Sequence, residues 1–124
     1  MIELKTTAEI VQMKDACKIA AGALQAAGEA VKPGVSTEFI NKVAEDFIIR
    51  HGAVPTFKGY NGFPAASCIS VNDTIIHGIP SKTQIIQPGD IVSVDVGATF
   101  KGYVGDNAAT FAAGEISPEA QRLC

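Results

Sequence analysis

The first part of the chain places apolar residues at the three- and four-residue steps of an amphipathic helix. This apolar stripe consists of Ile10, Met13, Cys17, Ala20 and Leu24. Thr6 followed by Glu9 has the spacing of a capping box, in which each side chain satisfies a free backbone N–H at the helix start. Pro33-Gly34 interrupts the pattern, so we predict one helix that ends near Val31.

A second helical pattern begins at Ser36 or Thr37 and stops at Gly52. It has a broad apolar face made of Phe39, Ile40, Val43, Ala44, Phe47 and Ile48. His51 lies at the end of this helix, where the helix dipole favours a cation. That position explains His51 sufficiently, and we assign it no chemical role.

The rest of the chain has the shorter period of β-strands. Cys68–Val71 and Thr74–His77 flank Asn72-Asp73, which predicts a hairpin with a tight turn. Ile91–Thr99 alternates between valines and a polar or small set, and Tyr103–Phe111 returns as its partner strand. Ser117-Pro118-Glu119 begins a third helix. We therefore predict an α+β fold, with two long helices packed on an antiparallel sheet.

The segment Val54–Pro64 combines turn residues with three aromatic side chains, Phe57, Tyr60 and Phe63. Two interpretations stay open for these aromatic side chains. They plug the edge of the core, or they form the wall of an apolar pocket.

Asp95 and Asp106 each interrupt a strand-like run, and their midpoint falls at Phe100-Lys101, where we place the turn. Residues equidistant from a hairpin turn face each other, so we expect the two carboxyl carbons to lie within about 7 Å. A divalent cation between them would reverse the repulsion of like charges, and Mn, Mg, Co, Fe and Zn all fit oxygen ligands. The alternative is that one or both aspartates are ordinary solvent-facing strand residues.

His77 ends a predicted strand, just before Gly78 and Pro80 and beside the aromatic segment. A lone histidine in such a place is either structural or in contact with a substrate. The sequence pattern alone leaves both interpretations open.

Composition narrows the class of protein. The chain has 124 residues, of which 47% are hydrophobic and 19% charged, so we expect a single domain spanning residues 1–124. A net charge of -3 argues against nucleic-acid partners, and no apolar run is long enough to cross a membrane. The three cysteines are widely spaced and form no C-x-x-C, which favours a reducing, cytoplasmic environment.

Five segments occur in a recognisable order: Phe57–Pro64, Cys68–Asn72, His77–Pro80, Gly89–Gly97 and Gly102–Asp106. Together with Val31–Ser36, these segments resemble type I methionine aminopeptidase over essentially the whole chain. The resemblance implies half of the two-fold pseudo-symmetric pita-bread fold. It also implies an enzyme that removes the initiator methionine from nascent proteins.

The resemblance assigns a role to six side chains. Asp95 matches the first metal-binding aspartate, and Asp106 matches the second, which bridges two divalent ions (Co, Mn, Fe, Zn or Mg). His77 matches the catalytic histidine that contacts the substrate near the scissile amide. The positions that line the pocket for the methionine side chain are Tyr60, Phe63 and Cys68.

The chain departs from the family in its length. The remaining ligands of the family, one histidine and two glutamates, lie in a second half, and neither Glu115 nor Glu119 lies in a matching motif. We therefore expect a truncated N-terminal half with an incomplete metal site that is inactive on its own. The alternative is a non-catalytic module that binds or self-associates through the exposed half. The partner that completes the site is then either a second copy, in a homodimer, or the missing C-terminal half.

Overall fold

The computed structural model describes residues 1–124 and has the predicted α+β architecture, with two long helices against an antiparallel sheet. The elements are α1 (Thr7–Glu29), α2 (Thr37–Arg50), β1 (Val54–Pro55), β2 (Ser67–Val71), β3 (Ile91–Phe100), β4 (Tyr103–Ala112) and α3 (Pro118–Leu123). None of the helices combines the length and apolar character that crossing a membrane requires.

Both long helices begin at the predicted caps. The Thr6 side chain accepts the backbone N–H of Glu9 at 3.2 Å, and the Glu9 carboxylate accepts the N–H of Thr6 at 2.7 Å. The Ser36 hydroxyl accepts the N–H of Phe39 at 3.1 Å at the start of α2. These bonds satisfy donors that would otherwise have no partner in the first helical turn.

The buried face of α1 differs from the predicted stripe. It consists of Ala16, Ala20, Ala23, Leu24 and Ala27, whereas Ile10 and Cys17 are exposed. The reason is the close approach of β4, because a Cβ on Gly105 would lie 2.5 Å from the carbonyl oxygen of Ala16. At that separation only small side chains fit between helix and sheet.

β3 is the central strand of the sheet. β4 pairs with one edge of β3 along ten residue pairs, while β2 and β1 pair with successive parts of the other edge. Val92, Val94 and Val96 are fully buried in a core that also contains α1 and α2 residues. Because side chains alternate along a strand, Ser93 and Asp95 project from the opposite face of the sheet.

The predicted hairpin between Cys68–Val71 and Thr74–His77 is wrong. β2 ends at Val71, and residues 74–77 form no strand. The Asn72 side chain instead ties the turn to the start of β3, where its carbonyl oxygen accepts the N–H of Ile91 at 3.1 Å. Downstream, the chain returns to β2 at Gly78, whose carbonyl accepts the N–H of Ile69 at 2.9 Å.

Candidate metal and substrate site

One open cavity of about 580 Å³ lies at the sheet face opposite the helices. All six predicted site residues line it: Tyr60, Phe63, Cys68, His77, Asp95 and Asp106. The loop before β2 brings the two aromatic side chains, β2 brings the cysteine, and β3 and β4 bring the carboxylates. The structure therefore unites residues that span 47 positions of the sequence, from 60 to 106.

Asp95 and Asp106 share a face of the sheet, as predicted. They are not directly opposite each other, so that part of the prediction is wrong. Asp95 pairs with Ala108, and Asp106 pairs with Gly97. The turn lies at Lys101-Gly102, where both residues have positive φ (49° and 82°), so the register moves by two residues from the predicted one. A shift of two residues preserves the face, and the two carboxylates become diagonal neighbours.

The environment of Asp95 disfavours its negative charge. Burial raises the pKa of Asp95 above its ordinary value of 3.8, and the charge of Asp106 and a hydrogen bond to its side chain raise this pKa further. His77 acts in the opposite direction. The Oδ1 atom of Asp95 is buried and has no hydrogen-bond partner. Burial is the largest cause of the raised pKa of Asp95, ahead of the charge of Asp106.

These properties fit a divalent cation that prefers oxygen ligands. A cation would satisfy the unpartnered Oδ1 of Asp95 and cancel the repulsion between the two carboxylates. However, no group of three or more His, Cys, Asp or Glu side chains converges with ligand geometry in this chain. The pair thus has the donor chemistry for a metal but supplies only part of a coordination shell.

Cys68 lies directly opposite Asp95 in the β2–β3 register and is 6% exposed. Burial, followed by the charges of Asp95 and Asp106, raises the pKa of the Cys68 thiol to about 11. At neutral pH this thiol is uncharged, so it offers a small, polarisable and apolar surface to the cavity.

The loop between β1 and β2, which carries Tyr60 and Phe63, is attached to α2 at two points. Buried Asn41 accepts three hydrogen bonds through Oδ1: from the N–H of Ala66 (3.1 Å), the N–H of Ser67 (2.9 Å) and the Ser67 hydroxyl (2.8 Å). One helical turn later, Glu45 pairs with Lys58 at 2.5 Å. α2 thus fixes the position of the loop that carries Tyr60 and Phe63.

The family resemblance assigned no role to part of the cavity lining. Phe57 belongs to the lining, and its ring occupies the space beside Gly97, where a Cβ would lie 2.6 Å from the Phe57 Cε1 atom. The available signal was the presence of Phe57 in the same aromatic segment as Tyr60 and Phe63. Asn61, Gly62, Pro64 and Ile79 complete the lining.

A smaller cavity of about 240 Å³ adjoins the first and shares Cys68, His77 and Asp95 with it. Its wall carries the hydroxyl groups of Ser70, Ser93 and Thr110. Ser70 and Ser93 lie in two of the segments that carry the family resemblance but were assigned no role, and Thr110 lies outside those segments.

His51 has the structural role expected for it. Its ring stacks on Phe47 with centroids 4.1 Å apart, and its Nδ1 lies 2.8 Å from the carbonyl oxygen of Phe47. It does not line either cavity near the carboxylates.

The sequence matches the family model described as Metallopeptidase family M24 over residues 11–124. The chain belongs to this metallopeptidase family.

Individual relatives give the finer similarity. The methionine aminopeptidase of Clostridium acetobutylicum is 52% identical over 99% of this chain and 49% of its own length. A crystal structure of methionine aminopeptidase from Rickettsia prowazekii superposes with a TM-score of 0.96 at 35% identity, covering 99% of this chain and 49% of that one. The Xaa-Pro dipeptidase from Bacillus anthracis superposes with a TM-score of 0.79 at 30% identity, covering 96% of this chain and 32% of that one.

These similarities confirm half of a pita-bread fold and the resemblance to methionine aminopeptidases. The chain spans about half the length of the curated relatives it matches.

Proposed function

We propose that the chain is the N-terminal half of the catalytic domain of a cytoplasmic methionine aminopeptidase, a hydrolase that removes N-terminal methionine from nascent proteins. The observation that supports this proposal is the single cavity in which aromatic, thiol, imidazole and paired carboxylate groups meet. The high identity to proteins named methionine aminopeptidase supports the choice of substrate.

In this proposal the apolar part of the cavity holds the methionine side chain. Tyr60, Phe63 and the neutral thiol of Cys68 offer the polarisable surface that suits a thioether. Because Cys68 is also the register partner of Asp95, a bound side chain would lie next to the carboxylates. This arrangement brings the first peptide bond of the substrate towards Asp95 and Asp106.

Asp95 and Asp106 would together hold divalent ions (Co, Mn, Fe, Zn or Mg). Bound there, the ions would polarise the scissile carbonyl and activate the attacking water. His77, which lines the same cavity, would donate or accept a hydrogen bond at the substrate near the scissile amide. The remaining ligands and the general base would come from residues outside this chain, so we expect the isolated chain to be inactive.

A chimeric protein tests this function. In the chimera, this chain replaces the corresponding half of the Clostridium acetobutylicum relative, with which it shares 52% identity. We expect the chimera to release free methionine from a Met-Ala-Ser peptide in the presence of a divalent metal, and the isolated chain to release none.

Two variants of the chimera serve as a matched pair. Asp106→Ala should abolish methionine release, because it removes one of the two carboxylates that would hold the ions. Asp73→Ala, at an exposed turn outside both cavities, should leave the rate unchanged. A chimera that is folded by circular dichroism but inactive with every metal would contradict the proposed function.

A second candidate function is a non-catalytic module that self-associates, and the edge of β4 favours it. β4 pairs only with β3, so ten residues from Tyr103 to Ala112 present an unpaired backbone edge. The strand contains no proline or lysine, which commonly protect such edges. A second copy could pair along this edge in a two-fold dimer.

Light scattering across a range of protein concentrations distinguishes this candidate. Self-association predicts a rise from the 12.9 kDa monomer to twice that mass at high micromolar concentration. Val104→Lys, at an exposed position of β4, should weaken the association. A wild-type chain that stays monomeric throughout would exclude the dimer.

A further inference from the structure

His77 has a backbone conformation that residues with a Cβ rarely adopt. Its φ is +59°, in the left-handed region. This conformation is unfavourable for a non-glycine residue, and it persists where neighbouring groups hold it in place. His77 is also the only one of the six predicted site residues with a positive φ.

The group that holds His77 is the next residue, Gly78, which is fixed against β2. The N–H of Gly78 donates to the Ser70 hydroxyl oxygen at 3.0 Å, and the carbonyl of Gly78 accepts the N–H of Ile69 at 2.9 Å. Gly78 packs so closely that a Cβ there would collide with the Ile69 carbonyl oxygen. Both polar backbone groups of Gly78 are therefore attached to one strand.

The bond to Ser70 controls His77 specifically. The N–H of Gly78 belongs to the peptide plane that joins it to His77, so anchoring that plane restrains the backbone angles φ and ψ of His77 together. Ser70 is 3% exposed, so its hydroxyl has little access to competing water. The hydroxyl thus fixes the direction from which the His77 side chain enters both cavities.

We propose that Ser70 is a positioning residue for His77, acting through its hydrogen bond to the N–H of Gly78. What His77 then does to a substrate rests on the proposed function, whereas the positioning itself does not. Ser70 touches no reacting atom in this account. Its effect on binding is indirect, through the orientation of the imidazole.

The NOE between the amide proton and the α-proton of His77 tests the positioning directly. These two protons are closest at positive φ, so the wild-type chain should show a strong intraresidue NOE. Ser70→Val should lose it, because valine removes the hydroxyl. Ser70→Thr retains the hydroxyl, has nearly the same shape as valine and should preserve the NOE. The comparison of Ser70→Val with Ser70→Thr tests the proposal even if the smaller Ser70→Ala variant does not fold.

Ser93→Ala is the matched control. Ser93 is the β3 partner of Ser70 and lines the same small cavity, but its hydroxyl bonds to Thr110 at 2.8 Å rather than to Gly78. We expect the His77 NOE to survive in Ser93→Ala. A strong NOE that persists in Ser70→Val, or one that is lost equally in Ser93→Ala, would overturn the proposal.

Calorimetry of Met-Ala-Ser peptide binding to the full 124-residue chain separates the proposed function from the positioning role of Ser70. Ser70→Val should weaken binding about fivefold relative to Ser70→Thr, which corresponds to one typical hydrogen bond. Equal affinities in these two variants would refute an effect of Ser70 on the site. If the wild-type chain binds no peptide, the result contradicts peptide recognition by this chain, which belongs to the proposed function. The NOE comparison then still tests whether Ser70 positions His77.

Discussion

Asp95 is the residue in which structure and proposed chemistry are most closely linked. Its Oδ1 atom is buried without a hydrogen-bond partner, and its neighbours Cys68 and Asp106 provide no positive charge to compensate. A buried, unsatisfied acceptor reduces the stability of a fold. A side chain that costs stability in the metal-free protein is typical of functional sites, where the compensating group is a ligand.

The pH dependence of stability should reveal this cost. The folded-state pKa of Asp95 is raised, so its contribution to stability is full below the ordinary value of 3.8 and is lost as the pH rises through the folded-state pKa. Asp95→Asn imitates the protonated form. In metal-free buffer at pH 7 we expect it to raise the free energy of unfolding by about 1 kcal/mol.

Urea unfolding measured from neutral to acidic pH provides the test. The advantage of Asp95→Asn should shrink as the pH falls and vanish below the ordinary aspartate pKa of about 4. Asp73→Asn, at an exposed turn, is the control and should change little at any pH. An Asp95→Asn variant less stable than the wild type at pH 7 would contradict the electrostatic account.

The thiol of Cys68 gives a second prediction at this scale. Its pKa of about 11 lies two units above the ordinary 9.0, so its thiolate fraction at about pH 8 is about 100-fold lower than that of an ordinary thiol. Iodoacetamide should therefore modify the exposed Cys17 and Cys124 much faster than the buried Cys68. Mass spectrometry with the Cys68→Ser variant identifies the slow site, and three equal rates would disprove the shift.

At the scale of elements, the sequence pattern predicted the helix starts and the face of β3 but not distances between elements. The capping signals at Thr6 and Ser36 are local, and both are confirmed. The predicted apolar stripe of α1 was right at Ala20 and Leu24 but wrong at Ile10 and Cys17. The small gap between α1 and β4, set by Gly105, is a tertiary property. The burial of the alanines follows from that gap.

The β3–β4 hairpin shows the same limit. Its existence and the shared face of Asp95 and Asp106 followed from the two-residue period of strands, which tolerates a register error of two. The exact pairing depends on which two residues form the turn, and positive φ at Lys101 was not evident from the sequence. The segment 74–77 was mistaken for a strand because its isoleucines suggested pairing that the chain does not form.

Asn41 connects α2 to the start of β2 through hydrogen bonds, and its replacement should lower the stability of the fold. Its buried Oδ1 accepts hydrogen bonds from Ala66 and Ser67, and Asn41→Ala would leave their donors unsatisfied. We expect a loss of about 2–3 kcal/mol in the free energy of unfolding. Gln25→Ala, which removes an exposed amide from α1, should change it by less than about 0.5 kcal/mol. Similar losses in both variants would contradict a specific role for Asn41.

At the scale of the whole molecule, one face of the sheet is covered by helices and the other carries the cavities. The face with α1 and α2 contains the apolar core. The opposite face exposes Ile75, Ile76 and Ile79 around the candidate site, as well as the carboxylates. With about half the length of its relatives, the chain contains the first pair of candidate ligands but no third. The substrate and metal roles therefore depend on what covers this face.

The most direct test of the central claim is paramagnetic broadening of the amide signals of the isolated chain during titration with Mn²⁺. Because a cation would satisfy the unpartnered Oδ1 of Asp95 and relieve the repulsion from Asp106, broadening should begin at Asp95, Asp106 and the adjacent strand residue Cys68. It should disappear in Asp106→Asn and persist in Asp73→Asn. Broadening that starts elsewhere in the chain, or that is unchanged in Asp106→Asn, would contradict the assignment of this pair as the metal-binding site.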